Sequence, residues 1–166
     1  MTKILILGGY GQTGQPLARH LLRQSPVELV IAGRSLEKAA AFTALLNAEF
    51  PGGRASALRA DAASADSLRA ALRGVDLLVV AAPTTRHAQT VARAALDVGV
   101  DYLDVQLDAG KLALLQALAP EIERAGRCFI TEAGFHPGLP SAMVRWAAAR
   151  LDRLDSAVTA GYLNMG

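Results

Sequence analysis

The chain has 166 residues, 52% of them hydrophobic and 19% charged, with a formal net charge of +2 at neutral pH. That supplies one substantial core; no apolar run reaches the roughly 18 residues of a membrane span, and the opening strand-like residues lack a signal-peptide cleavage pattern, so a cytoplasmic protein is expected. A pI near 9.0 raises nucleic acid as a partner, but the arginines are scattered along helical stretches without basic runs or interleaved aromatics, and solvated helix faces explain them better.

Residues 3–8 read as a buried strand leading through Gly8-Gly9-Tyr10-Gly11-Gln12-Thr13-Gly14 into an apolar-periodic helix over 12–24, carrying Leu17, Ala18, Leu21 and Leu22. Strand, glycine-rich turn and helix in this order form a dinucleotide-binding unit, because the turn needs residues without a Cβ and the helix N-terminus offers free N–H groups to a pyrophosphate. Gly9 is expected to turn the chain out of the strand, Gly11 to let the backbone approach the phosphates, and Gly14 to let the helix pack closely; Tyr10, Gln12 and Thr13 complete the cofactor loop. The alternative is a tight turn whose glycines serve packing alone. The same letters also fit Gly8-x-x-Gly11-x-x-Gly14, which resembles the turn of the short-chain dehydrogenase and NmrA-like groups.

A second strand, 27–33, precedes a helix over 35–48. Arg34 stands 20 positions beyond Gly14, where an NAD-selective domain carries an acid for the ribose hydroxyls. A guanidinium there attracts the 2′-phosphate of NADP, and Ser35 can donate a further hydrogen bond, so NADP is expected over NAD. Both residues also suit a helix start, with Ser35 as N-cap. A third strand, 55–60, ends at Asp61-Ala62, where Asp61 is placed either to contact the adenine amino group or to cap the helix over 64–73. The fourth, 76–82, ends at Ala81-Ala82-Pro83-Thr84; these small residues let backbone run beside the nicotinamide ribose, and Pro83 with Thr84 opens a helix over 84–98. Strand 101–105, helix 109–125, strand 127–131 and helix 139–151 follow. Strict β–α alternation predicts an α/β fold: a doubly wound parallel sheet in a three-layer α/β/α arrangement, the Rossmann fold, over residues 1–153.

Three later segments carry a family resemblance: Val75 to Pro83, then Ala94 to Asp104 with Gly99-Val100-Asp101-Tyr102-Leu103-Asp104, then Ala133-Gly134-Phe135-His136-Pro137-Gly138-Leu139-Pro140. In order and spacing they are similar to the saccharopine dehydrogenase-like reductases. The resemblance implies an NADP- or NAD-dependent oxidoreductase whose nucleotide domain precedes a substrate and dimerisation domain. Residues 154–166 are accordingly expected either to begin that second domain with a strand from Leu154 to Leu163 or to add a strand to the first sheet. An isolated chain is expected to bind the cofactor without turnover and to self-associate through its C-terminal end.

Departures from the family pattern fall at Gln106-Leu107-Asp108 and at His136, where the family often has Asp; they leave the small-molecule substrate open. His136 can act on a proton or an anionic substrate or be satisfied by local backbone, and Asp104 can orient backbone near the nicotinamide or serve a turn. Tyr102 is followed four residues later by Gln106, so the Tyr-x-x-x-Lys pair of short-chain dehydrogenases is missing, and no catalytic residue is assigned. No metal-ligand cluster is present; His20 and His87 read as surface or packing residues, and Cys128, the only cysteine, as a buried strand thiol. Besides the preferred reading, an NmrA-type NADP sensor without turnover and a Rossmann module used as an interaction scaffold remain open.

Overall fold

A computed structural model describes residues 1–134 and 138–160. Six strands form one parallel sheet in the order β3-β2-β1-β4-β5-β6. They are β1 (Lys3–Leu7), β2 (Glu28–Gly33), β3 (Ala55–Arg59), β4 (Leu77–Val80), β5 (Asp101–Asp104) and β6 (Phe129–Ile130). The helices are α1 (Gly14–Gln24), α2 (Leu36–Glu49), α3 (Ala65–Ala71), α4 (Ala88–Asp97), α5 (Ala109–Arg124) and α6 (Gly138–Ala148), with a 3₁₀ turn over Thr85–His87 before α4. This is the expected Rossmann arrangement, and the strand order reverses between β1 and β4, where such sheets open a ligand crevice beyond their carboxyl ends.

The period-2 alternation of strand side chains builds two cores. Leu5, Leu7, Val30, Ala32, Leu78 and Val80 face α3, α4 and α5, packing on Leu68, Leu72, Val91, Ala95, Leu115 and Leu118. Ile4, Ile6, Leu29, Ile31 and Val79 face the other way, onto Ala18 and Leu22 of α1 and Ala39, Phe42 and Leu46 of α2. β1 pairs with β2 and β4 through Leu5↔Val30 and Leu5↔Leu78. This central position explains why the Ile4 to Leu7 side chains are all buried.

Several elements are shorter than their sequence pattern suggested. Only Phe129 and Ile130 of the expected strand 127–131 join the sheet, and as an edge strand it leaves Ile130 48% exposed. Cys128 is exposed, correcting its reading as a buried thiol; its N–H donates to Asp101 Oδ1 at 2.9 Å. α6 buries none of its residues, and Leu139, Met143 and Trp146 are exposed. Residues 154–160 form no strand and are exposed. Tyr162 and Leu163 of that expectation, and His136, lie outside the described residues. Among the described residues no helix is long and apolar enough to cross a membrane, and no cluster of side chains is suited to a metal ion.

Candidate cofactor site

A cavity of about 530 Å³ opens at the carboxyl ends of β1 to β4. Tyr10, Gly11, Gln12, Thr13, Arg34, Asp61, Ala62, Ala82 and Pro83 line it, so four separate loops singled out in the sequence meet at one crevice. Gly9, Gly14 and Ser35 do not line it.

The turn out of β1 falls at Gly8, whose φ of +84° favours glycine; Gly9 does not share it. A Cβ on Gly8 would also lie 2.6 Å from the Cβ of Ala82, so the β1 and β4 loops touch at the point where strand order reverses. At Gly14 a Cβ would collide with the Gly8 carbonyl and come within 2.6 Å of Gly9 Cα, which fits close seating of α1 on the loop. Gly11 is different: its Cβ would meet Gly8 O at 3.1 Å and no other non-neighbouring atom within 4 Å.

The Gly11 N–H donates to Gly8 O and the Gln15 N–H to Gly11 O. The N–H groups of Gln12, Thr13 and Gly14 have no acceptor among the described residues, and Thr13 makes no side-chain cap bond. Three unpaired donors at a helix N-terminus, beside a loop with no side chain at Gly11, match the needs of a pyrophosphate.

Tyr10 reaches across to β2. Its hydroxyl accepts the Ser35 N–H at 3.1 Å, and its ring covers Gly33, where a Cβ would stand 2.6 Å from that hydroxyl. Ser35 Oγ accepts the Lys38 N–H at 3.2 Å and caps α2, which leaves its proton free to donate. Arg34 is exposed and makes no ion pair or hydrogen bond among the described residues. An unpaired guanidinium on the cavity wall beyond β2 is suited to a phosphate dianion. Asp61 does not cap α3; Ser64 does, its Oγ accepting from Ser67 N–H. Asp61 Oδ1 instead accepts from Ala63 N–H at 3.0 Å, holding the turn that carries it past the cavity.

Arg86 and His87 also line the cavity, with Arg86 Nε donating to His87 Nε2 at 3.0 Å. His87, read from the sequence as a surface or packing residue, therefore also belongs to the cavity wall; the missed signal is its nearness to the carboxyl end of β4.

Beside the crevice lies a buried polar cluster that centres on Asp104. Its side chain is fully buried and ion-paired with Lys111 of α5, whose side chain is 1% exposed. Tyr102 Oη and Thr131 Oγ1 each donate to Asp104 Oδ2 at 2.8 Å, and Gln106 N–H donates to Oδ1 at 3.0 Å. Burial opposes the charged carboxylate, yet hydrogen bonds from Lys111, Tyr102, Thr131 and Gln106 outweigh it and hold its pKa below the usual value. Burial, followed by the adjoining Asp104 charge, pushes the Tyr102 phenol well above its ordinary range. Tyr102 is thus held as a neutral donor. Lys111 had no sequence signal, since a lysine in a first helical turn ordinarily projects into water.

Comparison with known proteins agrees with this geometry. The family described as saccharopine dehydrogenase NADP binding domain matches residues 4–130. Yeast (Saccharomyces cerevisiae) saccharopine dehydrogenase, L-Glu forming, superposes with a TM-score of 0.75 at 23% identity, over 90% of this chain and 31% of that one. Sorbitol-6-phosphate 2-dehydrogenase of Erwinia amylovora gives 0.63 at 18% identity, over 89% and 78%. Triphenylmethane reductase of Citrobacter sp., solved with NADP(H), gives 0.57 at 21%, over 76% and 48%. The chain thus spans about a third of the yeast enzyme it resembles, and at these identities the superpositions speak for the fold. No curated protein matches the chain. The family match favours the saccharopine dehydrogenase-like reading over the NmrA-type sensor. With its glycine loop, unpaired helix N-terminus and Arg34 in one crevice, the chain belongs to the saccharopine dehydrogenase NADP-binding domain family.

Proposed function

We propose that this domain holds NADP for an oxidoreductase acting on a small amino-acid-type, keto or imine substrate in the cytoplasm, the substrate cleft being completed by polypeptide other than residues 1–160. The observation that carries the reading is Arg34, unpaired on the cavity wall across from the free N–H groups of the α1 N-terminus. Arg34 and the Ser35 hydroxyl would hold the 2′-phosphate, the Gly9 to Gly14 loop the pyrophosphate, Asp61 and Ala62 the adenosine, and Ala82 and Pro83 the nicotinamide riboside. The bound cofactor supplies the hydride; the domain's own share is binding and orientation.

Two observations support a cleft completed elsewhere. Tyr102 is buried and bonded to Asp104, leaving it no role as a proton donor to substrate. The exposed apolar residues Ile130, Met143 and Trp146 lie on β6 and α6, beyond the cofactor crevice, and favour burial against another surface. In the isolated chain that surface would be a second copy. The test is an assay on the purified chain of NADPH oxidation with a panel of keto acids and imines, and of NADP+ reduction with a panel of amino acids. The reading expects tight NADPH binding with no turnover; robust turnover of a defined substrate would overturn the division of labour.

A further inference from the structure

We infer that the buried Asp104–Lys111 pair, acting through Gln106, is a brace that pre-positions the nicotinamide half of the cofactor site; this rests on the NADP reading above. Asp104 and Lys111 are the only charged side chains buried among the described residues. A buried ion pair is weak support for stability, because desolvation offsets most of its Coulomb attraction, so the role we assign it is positional, argued from its contacts.

Its contacts show what is positioned. Lys111 Nζ donates to Asp104 Oδ1 and also to the Gln106 backbone carbonyl, while Gln106 N–H returns to Asp104 Oδ1. The backbone of residue 106 is thereby fixed from both sides. Among the described residues its side chain then has one partner: Nε2 donates to the carbonyl of Ala82. Ala82 lines the cavity and packs against Gly8, at the floor of the crevice between β1 and β4. On the far side, Asp104 receives the Thr131 hydroxyl and its backbone carbonyl accepts the Ala133 N–H at 2.9 Å. It thereby also ties down the segment after β6, in which Glu132 takes a left-handed φ of 59°. One carboxylate thus links the ends of β5 and β6 to the β4 loop, the half of the sheet opposite Arg34. Neither Gln106 nor Lys111 lines the cavity, so both are positioning residues.

The experiment compares two ligands by calorimetric titration of the purified chain: NADPH, which fills both halves, and 2′,5′-ADP, which fills only the adenine half. Gln106→Leu removes the amide–carbonyl bond and leaves the Asp104–Lys111 pair intact. It should weaken NADPH roughly threefold to tenfold, the loss of one hydrogen bond's positioning, with 2′,5′-ADP unchanged. Lys111→Met should show the same split together with a lowered melting temperature; should it fail to fold, Gln106→Leu decides alone. Equal losses for both ligands, or no loss for NADPH, overturn the brace. A starting protein that binds 2′,5′-ADP and NADPH retains the cofactor reading whatever the variants do; one that binds neither overturns that reading and the brace with it.

Discussion

Replacing Gly11 by valine separates cofactor binding from folding more cleanly than any other change in the loop. A Cβ at Gly11 meets only the Gly8 carbonyl, at 3.1 Å, which a shift of a few tenths of an ångström relieves. The remaining methyl groups occupy the cavity wall beside the unpaired N–H groups of Gln12, Thr13 and Gly14. Losing two charge-assisted bonds to the pyrophosphate, each worth about 1.5–3 kcal/mol, removes at least about 3 kcal/mol of binding. That corresponds to a dissociation constant raised by roughly 100-fold or more. Gly14→Ala is the contrasting control: its Cβ runs into the backbone of Gly8 and Gly9, and overpacking of this kind costs about 1–3 kcal/mol of stability, or a melting temperature lower by roughly 2–12 °C for a domain of this size. NADPH fluorescence titration and thermal melts by circular dichroism read the two effects. A Gly11→Val protein that melts like the parent and binds NADPH within about threefold of it would refute the reasoning.

Arg34→Asp should reverse cofactor preference, because the carboxylate repels a 2′-phosphate and accepts ribose hydroxyls instead; competition titrations showing an unchanged NADPH to NADH ratio would remove Arg34 from the site. Tyr102 keeps its proton in the folded protein well above its ordinary value. Its contribution to stability is therefore complete below the ordinary tyrosine pKa of about 10 and is lost as pH rises beyond it, where the unfolded chain ionises. In an alkaline titration its phenolate absorbance should appear together with loss of ellipticity; ionisation of all tyrosines in a still-folded protein would contradict the buried Tyr102–Asp104 bond. Met143→Glu with Trp146→Glu should reduce concentration-dependent association in sedimentation velocity, and an unchanged profile would exclude the α6 face as the contact.

Local chemistry was the part most legible in the sequence. The Gly8 to Gly14 spacing and the residue following β2 are separated by fixed numbers of residues from strands whose apolar runs are unmistakable, so the loops that meet at the crevice could be named in advance. Tyr10 was named, but its bond to Ser35 joins two loops across the crevice and no spacing encodes it. The same holds for Lys111: its partner Asp104 lies on a different element, and the pairing exists only once β5 and α5 are folded against each other. The Arg127-Cys128-Phe129-Ile130 run reads as a buried strand because apolar content does not reveal sheet order. At the edge position Phe129 is partly covered, stacking on Tyr102 with ring centroids 5.2 Å apart, while Cys128 and Ile130 are exposed. α6 likewise has an apolar pattern without a covering surface among the described residues, so its pattern told of a helix and nothing of what it packs on.

Parallel calorimetric titrations of the purified chain with NADPH and NADH test the central claim most directly. With Arg34 unpaired beside the Ser35 hydroxyl, NADPH should bind at least about tenfold more tightly, the return on one charge-assisted phosphate contact, and the margin should shrink as salt is raised because Arg34 is solvent-exposed. Equal affinities for the two cofactors, or tighter binding of NADH, would contradict the assignment of this crevice as an NADP site.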